Sequence, residues 1–254
     1  MPMLSVAIIA RDEERHIGAC LASISGLAHE TVVLLDQRSR DRTAAIATAY
    51  GARVVVEPWR GFAAQRNRAM ELCTTPWVLF LDADERLSTA LYHEIAQWLQ
   101  SPQHRSASPV GYWIPRYNIF FGQTLRGGGW YPDHQLRLLR RGYAHYPQTQ
   151  LVHEQAVLNG PSGYLYEHIW HHNIDTLGEF WQKQTRYALA EARIAYHQGQ
   201  RARWRTFLGG PVREFWRRYV RLGGWRDGWL GLFLCASLAW FEVVRTGFLR
   251  LIQL

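Results

Sequence analysis

Runs of apolar residues alternate with segments of helical periodicity along the first third of the chain. Four of these runs predict buried β-strands, at residues 4–10, 31–35, 53–56 and 77–81. Helical spacing between them predicts three helices, at residues 17–24, 42–50 and 62–72. Such alternation is typical of a parallel sheet that is covered by helices on both faces. We therefore expect an α/β fold built on a doubly wound, mostly parallel sheet.

Acidic residues follow two of the predicted strands, namely Asp36 after the second and Asp82 and Asp84 after the fourth. Ligands of such sheets bind beyond the carboxyl ends of the strands, so the three carboxylates are expected to converge on one crevice. Two carboxylates spaced i, i+2 can share a hard divalent cation that also binds a substrate diphosphate. An Asp pair can also simply end a strand in a turn, with Ser88 then capping the next helix.

Other nucleotide and metal motifs are absent from the sequence. No GxGxxG follows the first strand, and the glycines at 127–129 lack the Lys-Ser/Thr of a P-loop, which excludes dinucleotide oxidoreductases and P-loop ATPases. His153 and Glu154 could suggest a zinc hydrolase, but position 157 is Val where HExxH needs His. A metal held by the carboxylates after the fourth strand would then neutralise a diphosphate.

Four segments, in this order, resemble motifs of the family 2 glycosyltransferases with the GT-A fold: residues 10–14, 33–43, 61–69 and 80–85. The resemblance continues through residues 129–133, 136–142 and 152–154, which look most like bacterial lipopolysaccharide core β-1,4-glucosyltransferases. The chain departs from the pattern at Asp12, where relatives usually have Asn, and at Gln37 and Arg38, where they have small residues. The resemblance implies a Rossmann-like GT-A domain with a mostly parallel sheet and flanking helices.

The resemblance also implies which residues bind a nucleotide sugar. Asp36 would accept hydrogen bonds from the uracil or the ribose, although it could instead cap a helix or a loop. Arg66 and Asn67 would face the nucleotide, the alternatives being a solvated Arg and a capping Asn. The full set of expected donor-binding residues is Ala10, Glu13, Asp36, Arg66, Asn67 and Asp82.

A divalent metal is expected beside the donor. Asp82 would contact the ribose or the metal, and Asp84 would bind Mg²⁺ or Mn²⁺, because carboxylate oxygens favour these hard ions over zinc. By resemblance, His171 is the late histidine that joins the metal or the diphosphate, and its alternative is a packing role.

Inverting sugar transfer needs a base on the face of the sugar opposite the leaving diphosphate. Asp133 is the expected base, because it follows a Gly-rich, aromatic segment and matches the later acidic motif of the family. A plain turn after Pro132 is the alternative. Glu154 is the reserve candidate.

Charge and aromatic residues are concentrated at the C-terminal end of the chain. Residues 201–254 contain ten Arg, three acidic residues and five Trp, while the whole chain has a net charge of +8. The run at 229–241 is too apolar for a nucleic-acid surface, and it is shorter than the roughly 20 residues that a membrane span needs. We expect interfacial amphipathic helices on anionic lipid. A helical cap that packs on the catalytic domain or in a dimer is the alternative.

Composition bears on compartment and domains. Three scattered cysteines give no disulfide framework, and no signal peptide is evident at the N-terminus, which together favour the cytoplasm. A long helix predicted at 176–197 places a boundary near residue 199. We expect a GT-A domain at 1–199 and a membrane-associating segment at 200–254.

The combined prediction is an inverting, metal-dependent glycosyltransferase on the inner face of the cell membrane. It would move a sugar, most simply glucose from UDP-glucose, onto a lipid-linked saccharide such as lipopolysaccharide core. One alternative enzyme glycosylates a polyprenyl phosphate. Another, a sugar-phosphate nucleotidyltransferase, usually has a Gly-rich first loop that this chain lacks. A non-catalytic membrane module would not need Asp82, Asp84 and Asp133.

Overall fold

A computed structural model describes residues 3–101, 109–147 and 155–253. By their contacts, the residues group into two compact units. The first unit contains Met1–Arg116 and Asp133–His171, and the second contains Tyr117–Pro132 and His172–Leu254.

The first unit is built on the parallel strands that the apolar runs predict. These are β1 (Leu4–Ala10), β2 (Glu30–Asp36), β3 (Arg53–Glu57) and β4 (Trp77–Asp82), which lie in the order β3-β2-β1-β4. Residues of β1 pair in parallel register with both β2 and β4, so β1 is central. All four carboxyl ends therefore lie at one edge of the sheet, as predicted.

Four helices belong to this unit: α1 (Ile17–Ser23), α2 (Thr43–Ala49), α3 (Phe62–Leu72) and α4 (Thr89–Gln100). Ser88 caps α4 as predicted, because its side chain accepts a hydrogen bond from the Leu91 amide. The central strands alternate their apolar side chains between two cores. Leu4, Val6 and Ile8 lie in one core, and Ala7 lies in the other. Burial on both faces explains why these strands are continuously apolar.

The sheet continues with strands that the apolar pattern did not predict. They are β5 (Glu85–Leu87), β6 (Gly111–Phe120), β7 (Gln123–Thr124), β8 (His134–Arg140), β11 (Ser162–Tyr164) and β12 (Ile169–Ile174). A separate two-stranded sheet is formed by β9 (Ala144–His145) and β10 (Val157–Leu158). Strand β8 pairs antiparallel with both β4 and β6, and β12 pairs antiparallel with β5. Strand β8 therefore lies beside β4, and residues 169–171 lie beside β5, which follows the turn after β4.

The second unit is mainly helical. It contains α5 (Leu177–His197), α6 (Trp204–Phe215), a π-helical turn (Trp216–Arg221), a 3₁₀ turn (Gly224–Asp227) and α7 (Gly228–Ile252). Helix α5 begins with a capping box formed by Thr176 and Glu179. Its buried Phe180 packs in a core that also holds Leu234 and Phe241 of α7. The contacts thus group α5, which lies before residue 199, with the C-terminal helices. The domain boundary expected near residue 199 stays a prediction.

Helix α7 corrects one expectation about the C-terminal segment. The apolar run at 229–241 is by itself shorter than a membrane span, but the helix extends beyond it: α7 has 25 residues and continues past Glu242 to Ile252. The Glu242 carboxylate is neutralised by Arg245, whose Nη2 lies 2.8 Å from Oε2 one turn later. By length and composition alone, α7 is the one helix of the described residues that could cross a membrane, and part of its surface is buried against other helices.

Candidate functional site

The turns that follow β1 and β2 are tied to each other. Asp12 has a positive φ of 53°, a conformation that Asp and Asn adopt more readily than most other residues. Its Oδ1 accepts a hydrogen bond of 2.8 Å from the Arg40 amide. The Glu13 amide donates to Thr43 Oγ1 at 2.8 Å. Ala10, the buried last residue of β1, leads directly into this fixed turn.

Glu13 lies in an acidic environment at this edge of the sheet. Burial, and next the carboxylates of Asp84 and Asp41, raise its pKa from 4.5 to about 8. The turn after β1 therefore lies close to the end of β4. A bound cation would relieve the repulsion among these carboxylates, which makes the edge suitable for a metal and a diphosphate.

Asp36, at the end of β2, is buried with 1% exposure. Its carboxylate accepts hydrogen bonds from the Arg38 amide at 3.0 Å and from Arg38 Nη2 at 2.6 Å. The Arg38 side chain therefore holds the pKa of Asp36 below its ordinary value. Arg38, which departs from the family pattern, is thus the residue that binds the Asp36 carboxylate. The predicted contact of Asp36 with uracil or ribose stays a prediction.

Asp82, at the end of β4, lies between two arginines. Arg66 Nη2 donates to Asp82 Oδ1 at 2.8 Å, and Arg137 Nη2 donates to Oδ2. Burial alone would raise the pKa of Asp82, but these guanidinium groups hold it well below its ordinary value. The Arg66 guanidinium also lies 5.5 Å from the centre of the Tyr146 ring. Asp82 is therefore a charged acceptor whose two oxygens are already bound by the protein.

Asn67 fastens the chain near Tyr146. Its Nδ2 donates to the Tyr146 carbonyl at 2.7 Å, and its Oδ1 accepts from the Tyr146 amide at 2.8 Å. The side-chain amide therefore acts as a clamp between α3 and the segment after β9. Its expected contact with the nucleotide stays a prediction.

Asp84 and His171 come together, as the metal prediction requires. His171 Nε2 lies 3.2 Å from Asp84 Oδ2, and the side chains are 11% and 27% exposed, respectively. The pairing of β12 with β5 places His171 opposite Glu85, next to the turn that carries Asp84. Among the described residues, no three His, Cys, Asp or Glu side chains gather as a complete metal site. Asp84 and His171 would therefore supply two ligands and leave positions open for substrate oxygens.

Asp133, the expected base, directly precedes β8 and is held on both oxygens. Arg116 Nε donates a hydrogen bond to Oδ2 at 2.8 Å, and Arg116 Nη2 lies 2.8 Å from the same oxygen as an ion pair. Gln135 Nε2 donates to Oδ1 at 2.6 Å. These charge-assisted and neutral hydrogen bonds fix the orientation of the Asp133 carboxylate. The reserve candidate Glu154 and its neighbour His153 lie outside the described residues.

A buried glutamate that was not among the predicted site residues connects these groups. Glu85 is fully buried, and its Oε1 accepts from Arg116 Nη1 at 2.8 Å and from Arg137 Nη2 at 2.6 Å. Its Oε2 accepts from the Asp82 amide at 3.0 Å. An unbroken series of alternating charges therefore runs from Asp133 through Arg116, Glu85 and Arg137 to Asp82. One feature of the sequence could have indicated this series of charges: Arg137 stands between two leucines in an apolar run.

A small cavity of about 110 Å³ adjoins this series of charges. Its walls include Asp82 and the three arginines that bind Asp82, Glu85 or Asp133, namely Arg66, Arg116 and Arg137. The cavity is therefore a polar space beside the carboxylates at the end of β4. It could accommodate hydroxyl or phosphate oxygens.

In sequence, the chain is similar to known glycosyltransferases. The family model described as Glycosyl transferase family 2 matches residues 5–157. The lipopolysaccharide core biosynthesis glycosyltransferase LpsC of Rhizobium meliloti is 33% identical over 234 residues, which cover 90% of this chain and 84% of LpsC. An uncharacterized glycosyltransferase of Rickettsia felis is 29% identical over 210 residues, covering 79% of this chain and 73% of that protein.

Among solved structures, S. aureus TarS 1-349 in complex with UDP is similar over 98% of this chain and 89% of its own. The TM-score is 0.50 and the sequence identity is 14%, so this likeness bears on the fold alone.

Proposed function

The chain belongs to glycosyl transferase family 2, and from this premise we propose that it transfers a sugar from a nucleotide sugar at the edge formed by Asp36, Asp82 and Asp84. Its GT-A fold and its activity as a glycosyltransferase agree with the sequence prediction. The observation that carries the proposal is the contact of Asp84 with His171 beside the paired Asp82. That contact joins a carboxylate and an imidazole from distant parts of the chain at the edge where nucleotides bind.

The finer substrate assignment is glucose from UDP-glucose, with a lipid-linked saccharide such as lipopolysaccharide core as acceptor. It is supported by the sequence motifs and by the similarity to LpsC over most of both chains. The acceptor's lipid would place the enzyme at the cytoplasmic face of the inner membrane.

Asp84 and His171 fit a divalent cation. The Asp84 oxygen and the His171 nitrogen together suit Mn²⁺, and the Asp84 oxygen also suits Mg²⁺. Such an ion neutralises the charge that develops on a departing diphosphate. Arg66 and Arg137 hold Asp82 in one position, and Asp82 in turn can accept a ribose hydroxyl. Burial and the neighbouring carboxylates raise the pKa of Glu13 to about 8, so a cation bound at this edge would favour the ionised form of its carboxyl.

Asp133 is proposed as the base of an inverting displacement. Arg116 and Gln135 fix its carboxylate, so that it can receive the proton of the acceptor hydroxyl as that oxygen attacks the sugar. Arg116 is a positioning residue in this assignment. It also connects the base to Glu85 and, through Arg137, to the donor side of the site.

The second unit carries a surface suited to a membrane. Trp204, Leu208 and Val212 of α6 are 73%, 79% and 70% exposed, and their spacing of four places them on one helix face. The exposed Arg205 and Arg213 are neighbours of this apolar row in the sequence. A helical cap that packed through this face would bury the row. We propose that it inserts at the surface of anionic lipid.

Calorimetry with UDP tests the donor site. Wild-type protein should bind UDP more tightly in Mn²⁺ than in EDTA, and Asp84→Ala should remove this difference because the cation loses its carboxylate ligand. Glu71→Ala, which changes a side chain 66% exposed on α3, is the control that should bind like wild type. Absence of UDP binding by folded wild-type protein would refute the donor assignment. Equal Mn²⁺ dependence in Asp84→Ala would refute the metal assignment alone.

A further inference from the structure

A buried carboxylate fixes the Gly-rich loop of the second unit. Asp227 is 4% exposed, and its two oxygens accept hydrogen bonds from the Arg126 amide at 2.7 Å and the Gly127 amide at 2.9 Å. Gln123 Nε2 donates to the Asp227 carbonyl at 3.2 Å. The loop after β7 is therefore held against the 3₁₀ turn that precedes α7, and we call these contacts of Asp227 with Gln123, Arg126 and Gly127 the Asp227 clamp.

The glycines of this loop permit that close approach. A Cβ on Gly127 would lie 2.0 Å from the Gly223 carbonyl oxygen, so a larger residue would separate the two segments. The Gly128 amide donates to the Leu222 carbonyl at 2.9 Å. The glycines at 127–129 thus serve to dock two segments, which explains a motif that does not match a phosphate-binding loop.

The docking places two arginines around one cleft. Arg126 and Arg226, each next to a residue of the Asp227 clamp, line a cleft of about 580 Å³ together with Tyr117 and Tyr131. The two tyrosine rings are stacked, with centres 5.0 Å apart and planes 23° apart. Both arginines are exposed, and within the described ranges neither guanidinium forms an ion pair with a carboxylate. The cleft is therefore aromatic on one part of its wall and positively charged on another.

We propose that this cleft binds the acceptor saccharide through a phosphate or carboxylate carried on its sugar, an inference that rests on the proposed glycosyl transfer. Guanidinium groups bind both anions through paired, charge-assisted hydrogen bonds. Tyrosine presents an apolar ring and a hydroxyl, which together suit the faces and hydroxyl groups of a sugar. The volume lies within the range of about 300–1,000 Å³ that is usual for small-ligand pockets.

The position of these residues in the chain agrees with an acceptor role. Tyr131 precedes Asp133 by two residues, and Tyr117 directly follows Arg116, which holds that carboxylate. Two short segments, at residues 116–117 and 131–133, therefore contain both the tyrosines of the cleft and the proposed base with its arginine partner.

Binding of simple probes to the full chain in detergent tests the proposal. Glucose 6-phosphate should bind to wild-type protein more tightly than glucose or inorganic phosphate, because only this probe offers both the sugar and the anion. Arg126→Ala and Arg226→Ala should each weaken its binding by about tenfold, the scale expected for one charged hydrogen-bond donor. Arg193→Ala, an exposed arginine of α5 outside the cleft, is the matched control.

The other outcomes separate the alternatives. Equal affinity for inorganic phosphate and glucose 6-phosphate would overturn the saccharide assignment. Loss of binding to anionic vesicles in the two variants, without any binding of the sugar phosphate, would assign the arginines to lipid headgroups instead. UDP calorimetry on the same samples verifies folding. Wild-type protein that binds UDP but not glucose 6-phosphate overturns this inference and leaves the proposed function standing.

Discussion

The acidic residues of the site differ mainly in their partners. Guanidinium groups hold Asp36, Asp82 and Asp133, whereas Asp84 faces an imidazole. The sequence could place Asp36, Asp82 and Asp84 at one edge, because each follows a buried parallel strand. It could not identify the arginine partners of Asp82 and Asp133, since those depend on the register of antiparallel strands distant in the chain.

At the residue scale, Asp133→Asn keeps the shape of the side chain and removes its ability to accept a proton. Turnover should fall by about 10²–10⁴-fold, while UDP affinity stays the same. Steady-state transfer rates and calorimetry measure the two quantities. The exposed Asp175→Asn is the control. Near wild-type turnover of Asp133→Asn would point to Glu154 as the base.

Glu30 gives a prediction about pH. Burial raises its pKa, but the Thr74 amide and the hydroxyls of Ser5 and Thr74 outweigh burial and lower it from 4.5 to about 2. A lowered carboxyl pKa stabilises the fold above pH 4.5, and this contribution is lost as the pH falls toward 2. Glu30→Gln should cost about 1–3 kcal/mol of unfolding free energy at pH 7. Urea unfolding should show the difference from wild type narrowing below pH 4.5, and a constant difference down to pH 3 would contradict this assignment.

At the scale of elements, the alternation of β1–β4 with α1–α3 was predictable because both faces of the sheet are buried. Strands β6, β8 and β12 were not predicted, because they mix polar residues with apolar ones and are defined by their partners. The apolar pattern did not indicate the full length of α7, because that pattern stops at Glu242. A charged residue such as Glu242 interrupts an apolar pattern but does not interrupt a helix when Arg245 pairs with it.

The Asp227 clamp should stabilise the second unit. Asp227→Ala leaves the Arg126 and Gly127 amides without their acceptor, so the free energy of unfolding should fall by about 1–3 kcal/mol. Urea unfolding followed by tryptophan fluorescence measures the loss. The exposed Asp175→Ala should have little effect. Unchanged stability of Asp227→Ala would mean that the clamp does not hold the loop.

At the scale of the whole molecule, the two units carry different properties. The first unit holds the carboxylates of the donor site, and the second holds the ten arginines of residues 201–254 and the apolar row of α6. The composition predicted this concentration of charge. It could not predict that Arg218 is structural, donating to the Gly128 carbonyl at 2.9 Å.

Sedimentation with vesicles tests the membrane assignment. Wild-type protein should pellet with anionic lipid, and less so in high salt, because surface charges are screened within a Debye length of about 8–10 Å. Replacing Trp204, Leu208 and Val212 by Ser should reduce pelleting, whereas Phe62→Ser, also exposed at 57%, should not. The account fails here if wild-type protein stays in the supernatant at low salt, or if the triple variant pellets equally.

Consumption of nucleotide sugars by the full chain, compared in Mn²⁺ and in EDTA, tests the central claim most directly. The account predicts that a UDP-sugar, first UDP-glucose, is consumed with release of UDP, and that EDTA slows this release about tenfold or more. Failure of the folded protein to bind or consume any nucleotide sugar would contradict the claim. Release at an equal rate in EDTA would contradict its metal dependence.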